Sequence, residues 1–127
     1  MRFGRTGSLV DNASSGGFFI PVDMEEGCFK EYEFQFLELS NNYIYEHPDT
    51  NIKLNGYKIP CFQESKELVK KAAKDLGDKI VGWDIALSKE GPVLIEGNYN
   101  YHIGMSEKAY GGYKEHPIFK KIIAKYI

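Results

Sequence analysis

The sequence predicts a mixed α+β domain in which a mainly antiparallel sheet is flanked by helices. Three observations carry this prediction: alternation of aromatic and polar residues at 31–36, apolar residues at helical spacing in two segments, and two apolar strands around a tight turn at 81–98. The chain has 127 residues, which suits a single domain. Hydrophobic residues make up 43% and charged residues 27%, so disorder and a collagen-like repeat are excluded.

Composition also restricts the partners and the compartment. Sixteen basic and eighteen acidic residues give a net charge of −2, so the chain as a whole shows no footprint for nucleic acid or an anionic membrane. No stretch of about 18 apolar residues is present, so no membrane span is expected. Arg2 and Arg5 are not followed by the apolar segment of a signal peptide. Because Cys28 and Cys61 lack CxxC spacing, we expect reduced thiols and a cytoplasmic protein.

The first half of the chain is predicted to be rich in strands and turns. Residues 1–16 contain many Gly, Ser and Arg residues without periodicity, and they are predicted to form a loop. Strands are predicted at 17–23 and 28–39, separated by a turn at 24–27. Residues 40–60 contain Asn-Asn, His-Pro-Asp-Thr and Asn-Gly, which are typical of turns joined by short extended pieces.

The second half is predicted to contain two helices, two strands and one Gly/Tyr-rich loop. Their order is helix 63–76, strands 79–88 and 92–97, loop 99–113 and helix 117–126. The first helix carries apolar residues at helical spacing from Leu68 to Leu76, and Gly77 ends it. The last helix begins with Pro117, a residue tolerated in a first turn.

The strand pair at 81–98 carries the candidate chemistry. If Lys89-Glu90-Gly91 is a three-residue loop with Gly91 in a left-handed conformation, Asp84 lies directly opposite Glu96. Alternation then gives an apolar, core-facing side made of Trp83, Ile85, Leu87, Val93 and Ile95. The other side holds Asp84, Ala86, Ser88, Leu94, Glu96 and Asn98. A change of one residue in the loop would break this alignment and leave an exposed face with scattered polar residues.

The predicted opposition of Asp84 and Glu96 indicates a metal site. Carboxylates facing each other on antiparallel strands have Cβ atoms about 5 Å apart, and they repel unless a proton or a cation lies between them. Asn98, two residues after Glu96, adds an amide oxygen on the same side. Hard oxygen ligands without His or Cys suit Mg²⁺ or Mn²⁺, completed by water and substrate phosphates.

The amino-acid sequence of the hairpin resembles that of a known family. Gly82-Trp83-Asp84-Ile85-Ala86 followed by Gly91-Pro92-Val93-Leu94-Ile95-Glu96-Gly97-Asn98 is similar to the metal-binding hairpin of the ATP-grasp superfamily. The match is closer to the sugar-transfer-associated ATP-grasp family, which is found with capsule and exopolysaccharide genes. Three other stretches agree: Val10-Asp11-Asn12 with Gly16-Gly17, His47-Pro48-Asp49-Thr50, and Gly56-Tyr57-Lys58-Ile59-Pro60. The resemblance extends from about residue 2 to residue 117.

This resemblance implies an ATP- and Mg²⁺-dependent carboxylate ligase in polysaccharide or exopolysaccharide biosynthesis. In the superfamily, ATP phosphorylates a carboxylate substrate, and a nucleophile then displaces the phosphate. By resemblance, Asp84, Glu96 and Asn98 match the ligands of the Mg²⁺ that holds the ATP phosphates.

The resemblance also implies a phosphate-binding set near the N-terminus. Asn12, with Gly16 and Gly17, matches the loop beside the terminal phosphate and the acyl substrate. Glycines suit that place because they let backbone N–H groups approach phosphate oxygens. Either Arg2 or Arg5 would be the cation that steadies the phosphate or the acyl-phosphate.

The sequence departs from the superfamily in one respect. The lid that carries the phosphate-binding lysine normally precedes these motifs, and no lysine here matches it. Residues 1–127 are therefore expected to form a partial ATP-grasp domain, the C-terminal metal-binding subdomain. A separate N-terminal half or a homo-oligomer would complete it. The alternative is a truncated, non-catalytic remnant that acts as a binding or oligomerisation module.

Four tyrosines of the 99–113 loop form a further candidate group. Tyr99, Tyr101, Tyr110 and Tyr113 either line a sugar or carboxylate pocket or pack the loop itself, and packing is favoured. His102 in the same loop is expected to have no catalytic role.

Overall fold

The computed structural model describes residues 1–3, 18–31, 33–35, 43–47, 49–77 and 79–126. It confirms the mixed α+β class, because every strand pair it contains is antiparallel and helices accompany them. The chain divides into two compact units, Met1–Ile59 with Met105–Gly111 and Pro60–Gly104 with Gly112–Ile127. None of the described helices is long and apolar enough to cross a membrane.

The first unit is built on short antiparallel strands. They are β1 (Arg2–Phe3), β2 (Phe18–Phe19), β3 (Val22–Asp23), β4 (Cys28–Phe29), β5 (Glu33–Gln35) and β6 (Tyr43–Ile44). One sheet has the order β1-β2-β5-β6, and β3 pairs with β4. Among the described residues, the buried apolar side chains are those of Phe18, Phe19, Ile20, Val22, Phe29 and Leu54. Burial of these large apolar side chains is the main stabilising contribution to this unit.

Two expectations about the start of this unit are corrected. Part of the predicted N-terminal loop is a strand, because Arg2 pairs with Phe19 and the rings of Phe3 and Phe18 stack with centroids 5.0 Å apart. The predicted strand at 17–23 is divided into β2 and β3. Pro21 lies at the break, since proline has no N–H to donate to a strand ladder.

The predicted turn at 24–27 is confirmed, and Asp23 organises it. Its Oδ1 atom accepts hydrogen bonds from the backbone N–H groups of Glu25 and Glu26, both at 3.0 Å. Gly27 has a φ of 67°, a left-handed conformation that glycine adopts without strain. The two backbone hydrogen bonds hold the pKa of the Asp23 carboxyl below its ordinary value of 3.8.

The second unit contains most of the helices and the long hairpin. Its elements are α1 (Phe62–Ala73), β7 (Gly82–Ser88), β8 (Gly91–Asn98), a 3₁₀ helix at Tyr113–Glu115 and α3 (Pro117–Tyr126). Helix α1 packs against β8, and α3 has the bounds that the sequence predicts. Helix α1 is shorter than predicted, because it ends at Ala73 and not at Gly77. Gly77, with a φ of 63°, lies in the turn that follows.

The expectation of a loop throughout 99–113 is wrong. Helix α2 spans Gly104–Tyr110, and all of it after Gly104 belongs to the first unit. There the Tyr110 hydroxyl accepts a hydrogen bond from Val22 N at 2.8 Å and donates one to Val22 O at 3.0 Å. Tertiary contacts of this kind override weak helix propensity, which is why Gly and Tyr content misled the prediction.

Candidate functional site

The β7–β8 hairpin places Asp84 directly opposite Glu96, as the sequence predicts. The turn itself differs from the prediction. Ser88 pairs with Gly91, so the turn has two residues, Lys89 and Glu90, instead of three. The Ser88 hydroxyl closes it, donating to Gly91 O at 2.8 Å and accepting from Glu90 N at 3.1 Å.

A bulge in β8 compensates for the shorter turn. Ile85 pairs with Leu94, whereas the next pair is Asp84 with Glu96, so Ile95 is the extra residue. A bulge of this kind adds one residue to one strand and locally increases its twist. The shorter turn and the bulge each shift the register by one residue in opposite directions. The carboxylate pair is therefore preserved.

The bulge corrects the predicted apolar face of β8. Leu94 lies opposite Ile85 and is half-buried, while Val93 and Ile95 are 48% and 63% exposed. The prediction put Val93 and Ile95 in the core because it assumed uninterrupted alternation. On β7 the prediction holds, since Trp83, Ile85 and Leu87 are half-buried at alternate positions. Glu96 and Asn98 follow the bulge and keep their predicted side.

Two glycines of the hairpin make room for aromatic rings, one on each face. A Cβ atom on Gly97 would lie 2.7 Å from Cζ3 of Trp83, its cross-strand partner. A Cβ atom on Gly82 would lie 2.5 Å from Cγ of Tyr101. Because Gly82 and Asp84 are two residues apart on one strand, the Tyr101 ring borders the carboxylate face. Two sequence features could have indicated this contact: Gly82 inside a predicted strand, and the tyrosine-rich segment that follows Asn98.

The tyrosines of the 99–113 segment have separate roles. Tyr110 anchors α2 to Val22, as described above, and the Tyr113 ring packs on Phe119 with centroids 5.2 Å apart. Tyr101 is half-buried, and burial together with the Tyr113 hydroxyl raises the pKa of its phenol. Tyr99 is 60% exposed, with Lys79 Nζ 5.3 Å from its ring centroid. Packing therefore accounts for Tyr110 and Tyr113.

Asn98 joins the carboxylate pair through a direct hydrogen bond. Its Nδ2 atom donates to Glu96 Oε1 at 2.8 Å, which orients the two side chains on the same strand. Asp84 is half-buried, whereas Glu96 and Asn98 are exposed. The described site thus combines the half-buried carboxylate of Asp84 with the exposed carboxylate of Glu96 and the exposed amide of Asn98.

This set of donors fits a hard divalent cation. Carboxylate and amide oxygens are the ligands that Mg²⁺ and Mn²⁺ prefer, and the two negative charges match a charge of +2. No cluster of three or more His, Cys, Asp or Glu residues occurs in the described part of the chain. A cation at Asp84, Glu96 and Asn98 would therefore complete its coordination with water and ligand oxygens. Such an open coordination shell is typical of Mg²⁺ bound together with phosphates.

The remaining predicted site residues lie toward the N-terminus. Arg2 is on β1 in the first unit, where it is exposed and pairs with Phe19. The other residues of the predicted phosphate-binding set, Arg5, Asn12, Gly16 and Gly17, lie outside the described residues. Of the predicted site, the structure brings together the three hairpin residues.

Comparison with protein families supports the resemblance seen in the sequence. A family model described as sugar-transfer associated ATP-grasp matches residues 1–116, which include the whole hairpin. Comparisons with curated proteins and with solved structures give no significant match. The family match covers most of the chain, and the hairpin has the acidic pair that a metal-binding role requires. The chain therefore belongs to the sugar-transfer associated ATP-grasp family.

Proposed function

We propose that this chain is the metal-binding part of an ATP- and Mg²⁺-dependent carboxylate ligase in polysaccharide or exopolysaccharide biosynthesis. Family membership supports ATP binding. The single observation that carries the proposal is the cross-strand pairing of Asp84 with Glu96, because two opposed carboxylates concentrate negative charge that suits a divalent cation.

The hairpin residues have distinct parts in this proposal. Asp84 and Glu96 would supply the negative charge that holds a divalent cation at the hairpin. Asn98 orients Glu96 through its Nδ2 hydrogen bond and supplies an amide oxygen. The Tyr101 ring, packed over Gly82, covers one end of the carboxylate face. Bound Mg²⁺ would neutralise charge on the ATP phosphates and orient them for transfer.

The proposed reaction has two steps. A carboxylate oxygen of the substrate attacks the terminal phosphorus of ATP, giving an acyl-phosphate and ADP. A nucleophile then attacks the acyl carbon, and inorganic phosphate leaves. Catalysis of the first step is mostly positioning and charge neutralisation, so a guanidinium group would assist it by neutralising charge on the transferred phosphate. By family resemblance that group is Arg2 or Arg5.

The same resemblance assigns the loop residues Asn12, Gly16 and Gly17 to the terminal phosphate and the acyl substrate. Backbone N–H groups beside glycines can approach phosphate oxygens closely. We assign the chain to the C-terminal half of an ATP-grasp unit, because no lysine matches the family's lid lysines. A further polypeptide segment or a second copy would supply the nucleotide lid. Use of ATP favours a cytoplasmic location.

The direct test is calorimetric titration of Mg²⁺ into the full chain and its variants, because the proposed metal ligands lie in this chain and the nucleotide lid does not. D84N and E96Q remove one charge each with little change in volume, and we expect each to weaken binding at least tenfold. E90Q is the matched control, because Glu90 is an exposed acidic residue in the turn of the same hairpin. Equal affinity in all three variants, each shown by circular dichroism to be folded, would refute the metal-site assignment.

A further inference from the structure

His47 opens a stretch of the sequence resemblance, His47-Pro48-Asp49-Thr50, that the proposed function leaves without a role. The backbone of His47 closes a tight turn after β6. Its N–H group donates to Ile52 O at 2.9 Å, and its carbonyl accepts from Thr50 N at 3.2 Å and from Asn51 N at 2.8 Å. The turn therefore fixes the main chain from which the imidazole projects.

The imidazole of His47 packs against two aromatic rings of the sheet. Its centroid lies 5.9 Å from that of Phe3 and 5.3 Å from that of Phe18, with interplanar angles of 88° and 76°. Phe3 and Phe18 are cross-strand partners whose own rings stack. Edge-to-face contacts of this kind are a preferred arrangement of aromatic rings. His47 is half-buried, so the two phenylalanines hold its ring in a defined place.

These two phenylalanines stand at the ends of the segment to which the proposed function assigns phosphate binding. Residues 4–17 connect Phe3 to Phe18, and Gly17 is the residue directly before Phe18. Consecutive Cα atoms are about 3.8 Å apart, so position 17 adjoins the residue whose ring contacts His47. The imidazole is thus a polar group beside one end of the proposed phosphate-binding segment.

A hydrogen bond inside the turn decides which ring nitrogen of His47 can donate. The backbone N–H of Asp49 donates to His47 Nδ1 at 3.2 Å. A ring nitrogen that accepts carries no proton, so the neutral imidazole has its proton on Nε2. Among the residues that the structure describes, none forms a hydrogen bond with Nε2 of His47. Half-buried N–H groups normally have a partner, and a phosphate oxygen is a strong acceptor.

We propose that His47 is a phosphate-binding residue whose Nε2–H group donates to an oxygen of the transferred phosphate beside Gly17. This inference rests on the proposed function, which supplies the phosphate at that segment. The donor is oriented before the phosphate arrives, because the turn fixes Nδ1 and the two phenylalanines fix the ring. Oriented donors of this kind stabilise charge that moves during phosphoryl transfer.

Two substitutions separate phosphate binding from a role in the turn alone. His47→Asn keeps a side-chain oxygen that can accept from the Asp49 N–H, but it has no donor at the place of Nε2. His47→Gln extends an amide N–H toward the place of Nε2 and loses the acceptor near Nδ1. The probe is inorganic phosphate, titrated into the full chain and followed by phosphorus NMR. We expect His47→Asn to weaken phosphate binding about tenfold, and His47→Gln to weaken it less than threefold, since a hydrogen bond to a charged group contributes at least this much.

The matched controls are His102→Asn and His116→Asn, which replace the other two histidines of the chain, both exposed. Each should change phosphate affinity less than twofold. Nitrogen NMR of histidine-labelled parent chain gives a second measurement. Before phosphate is added, His47 should show its proton on Nε2, and phosphate should then shift that signal while the signals of His102 and His116 stay in place.

Phosphate affinity that is unchanged in folded His47→Asn, or lost in His47→Gln alone, would assign His47 to the turn and overturn the proposal. So would an Nε2 signal that phosphate leaves in place, even if both variants bind weakly, or a parent chain that binds no phosphate. The proposed metal site fails by a different result, equal Mg²⁺ binding by the parent, D84N and E96Q. His47 lies outside that hairpin, so the two failures are distinguishable.

Discussion

Trp83 and Gly97 pair across the β7–β8 hairpin, and a Cβ atom at position 97 would lie 2.7 Å from Cζ3 of the indole ring. Real Cβ atoms do not approach a ring carbon so closely, so the indole requires glycine opposite it. The contact with Trp83 therefore explains why a glycine lies between Glu96 and Asn98. This glycine lets Trp83 cover one face of the hairpin while the carboxylates occupy the other.

We predict that Gly97→Ala destabilises the chain by about 1–3 kcal/mol, the usual effect of overpacking. Urea unfolding monitored by circular dichroism measures the effect, because Trp83 is the single tryptophan of the chain and the comparison includes a variant without it. In the background of Trp83→Leu, the same substitution should cost less, because the ring it meets is gone. If the cost of Gly97→Ala is the same in both backgrounds, the contact with Trp83 does not set the requirement for glycine.

The Tyr110 hydroxyl holds α2 to β3 in the first unit. Tyr110→Phe leaves the buried Val22 N–H without that acceptor, which should cost about 1–3 kcal/mol of unfolding free energy. Hydrogen exchange at the Val22 amide should also become faster. Tyr45→Phe is the control, since Tyr45 is 61% exposed, and it should leave both quantities near their original values. Unchanged stability and exchange in Tyr110→Phe would exclude the anchoring role.

Asp23 makes the stability of the first unit depend on pH. Its pKa is lowered by hydrogen bonds from the backbone N–H groups of Glu26 and Glu25, so the folded chain favours the carboxylate. This contribution is present above the ordinary pKa of 3.8 and is lost as pH falls through the lower folded value. Asp23→Asn should therefore be less stable than the parent near neutral pH, and the difference should vanish in acid. A pH-independent difference would contradict this account.

The hairpin shows how much of the candidate site could be predicted from the sequence. Strand alternation and an assumed three-residue turn predicted Asp84 opposite Glu96, which is the observed pairing. The turn length and the bulge at Ile95 were not predictable, because Gly91 suits both a two-residue and a three-residue turn. Since those two shifts cancel, the predicted pairing of Asp84 with Glu96 was right, while the predicted burial of Val93 and Ile95 was wrong.

The other differences arise from contacts between distant residues. Helix α2 has a weak local signal, and its Tyr110 is bound to Val22, 88 positions earlier in the chain. Strand β1 contains two residues and owes its pairing to the stacking of Phe3 on Phe18. Neither contact has a short-range pattern in sequence. Helix α3, whose period and starting proline are both local, was predicted with its observed bounds.

We also expect the opposed carboxylates of Asp84 and Glu96 to lower the stability of the metal-free chain, although the same pair serves metal binding. Without divalent cations, Glu96→Gln should raise the free energy of unfolding by about 0.2–1 kcal/mol, since it removes repulsion from Asp84 and keeps an oxygen that accepts the Asn98 hydrogen bond. With Mg²⁺ or Mn²⁺ present, the order should reverse, because the parent gains binding energy that the variant lacks. Urea titrations with and without the metal measure both differences. Stabilisation of the variant and the parent to the same extent by metal would contradict the assignment.

The central claim is that Asp84 and Glu96 hold a divalent cation together. Electron paramagnetic resonance of Mn²⁺ tests it most directly, because the free-ion signal is lost on binding. We predict that the full chain binds Mn²⁺, that D84N and E96Q each weaken binding at least tenfold, and that E90Q changes it less than twofold. Mn²⁺ affinity that is the same in the parent, D84N and E96Q would contradict the claim.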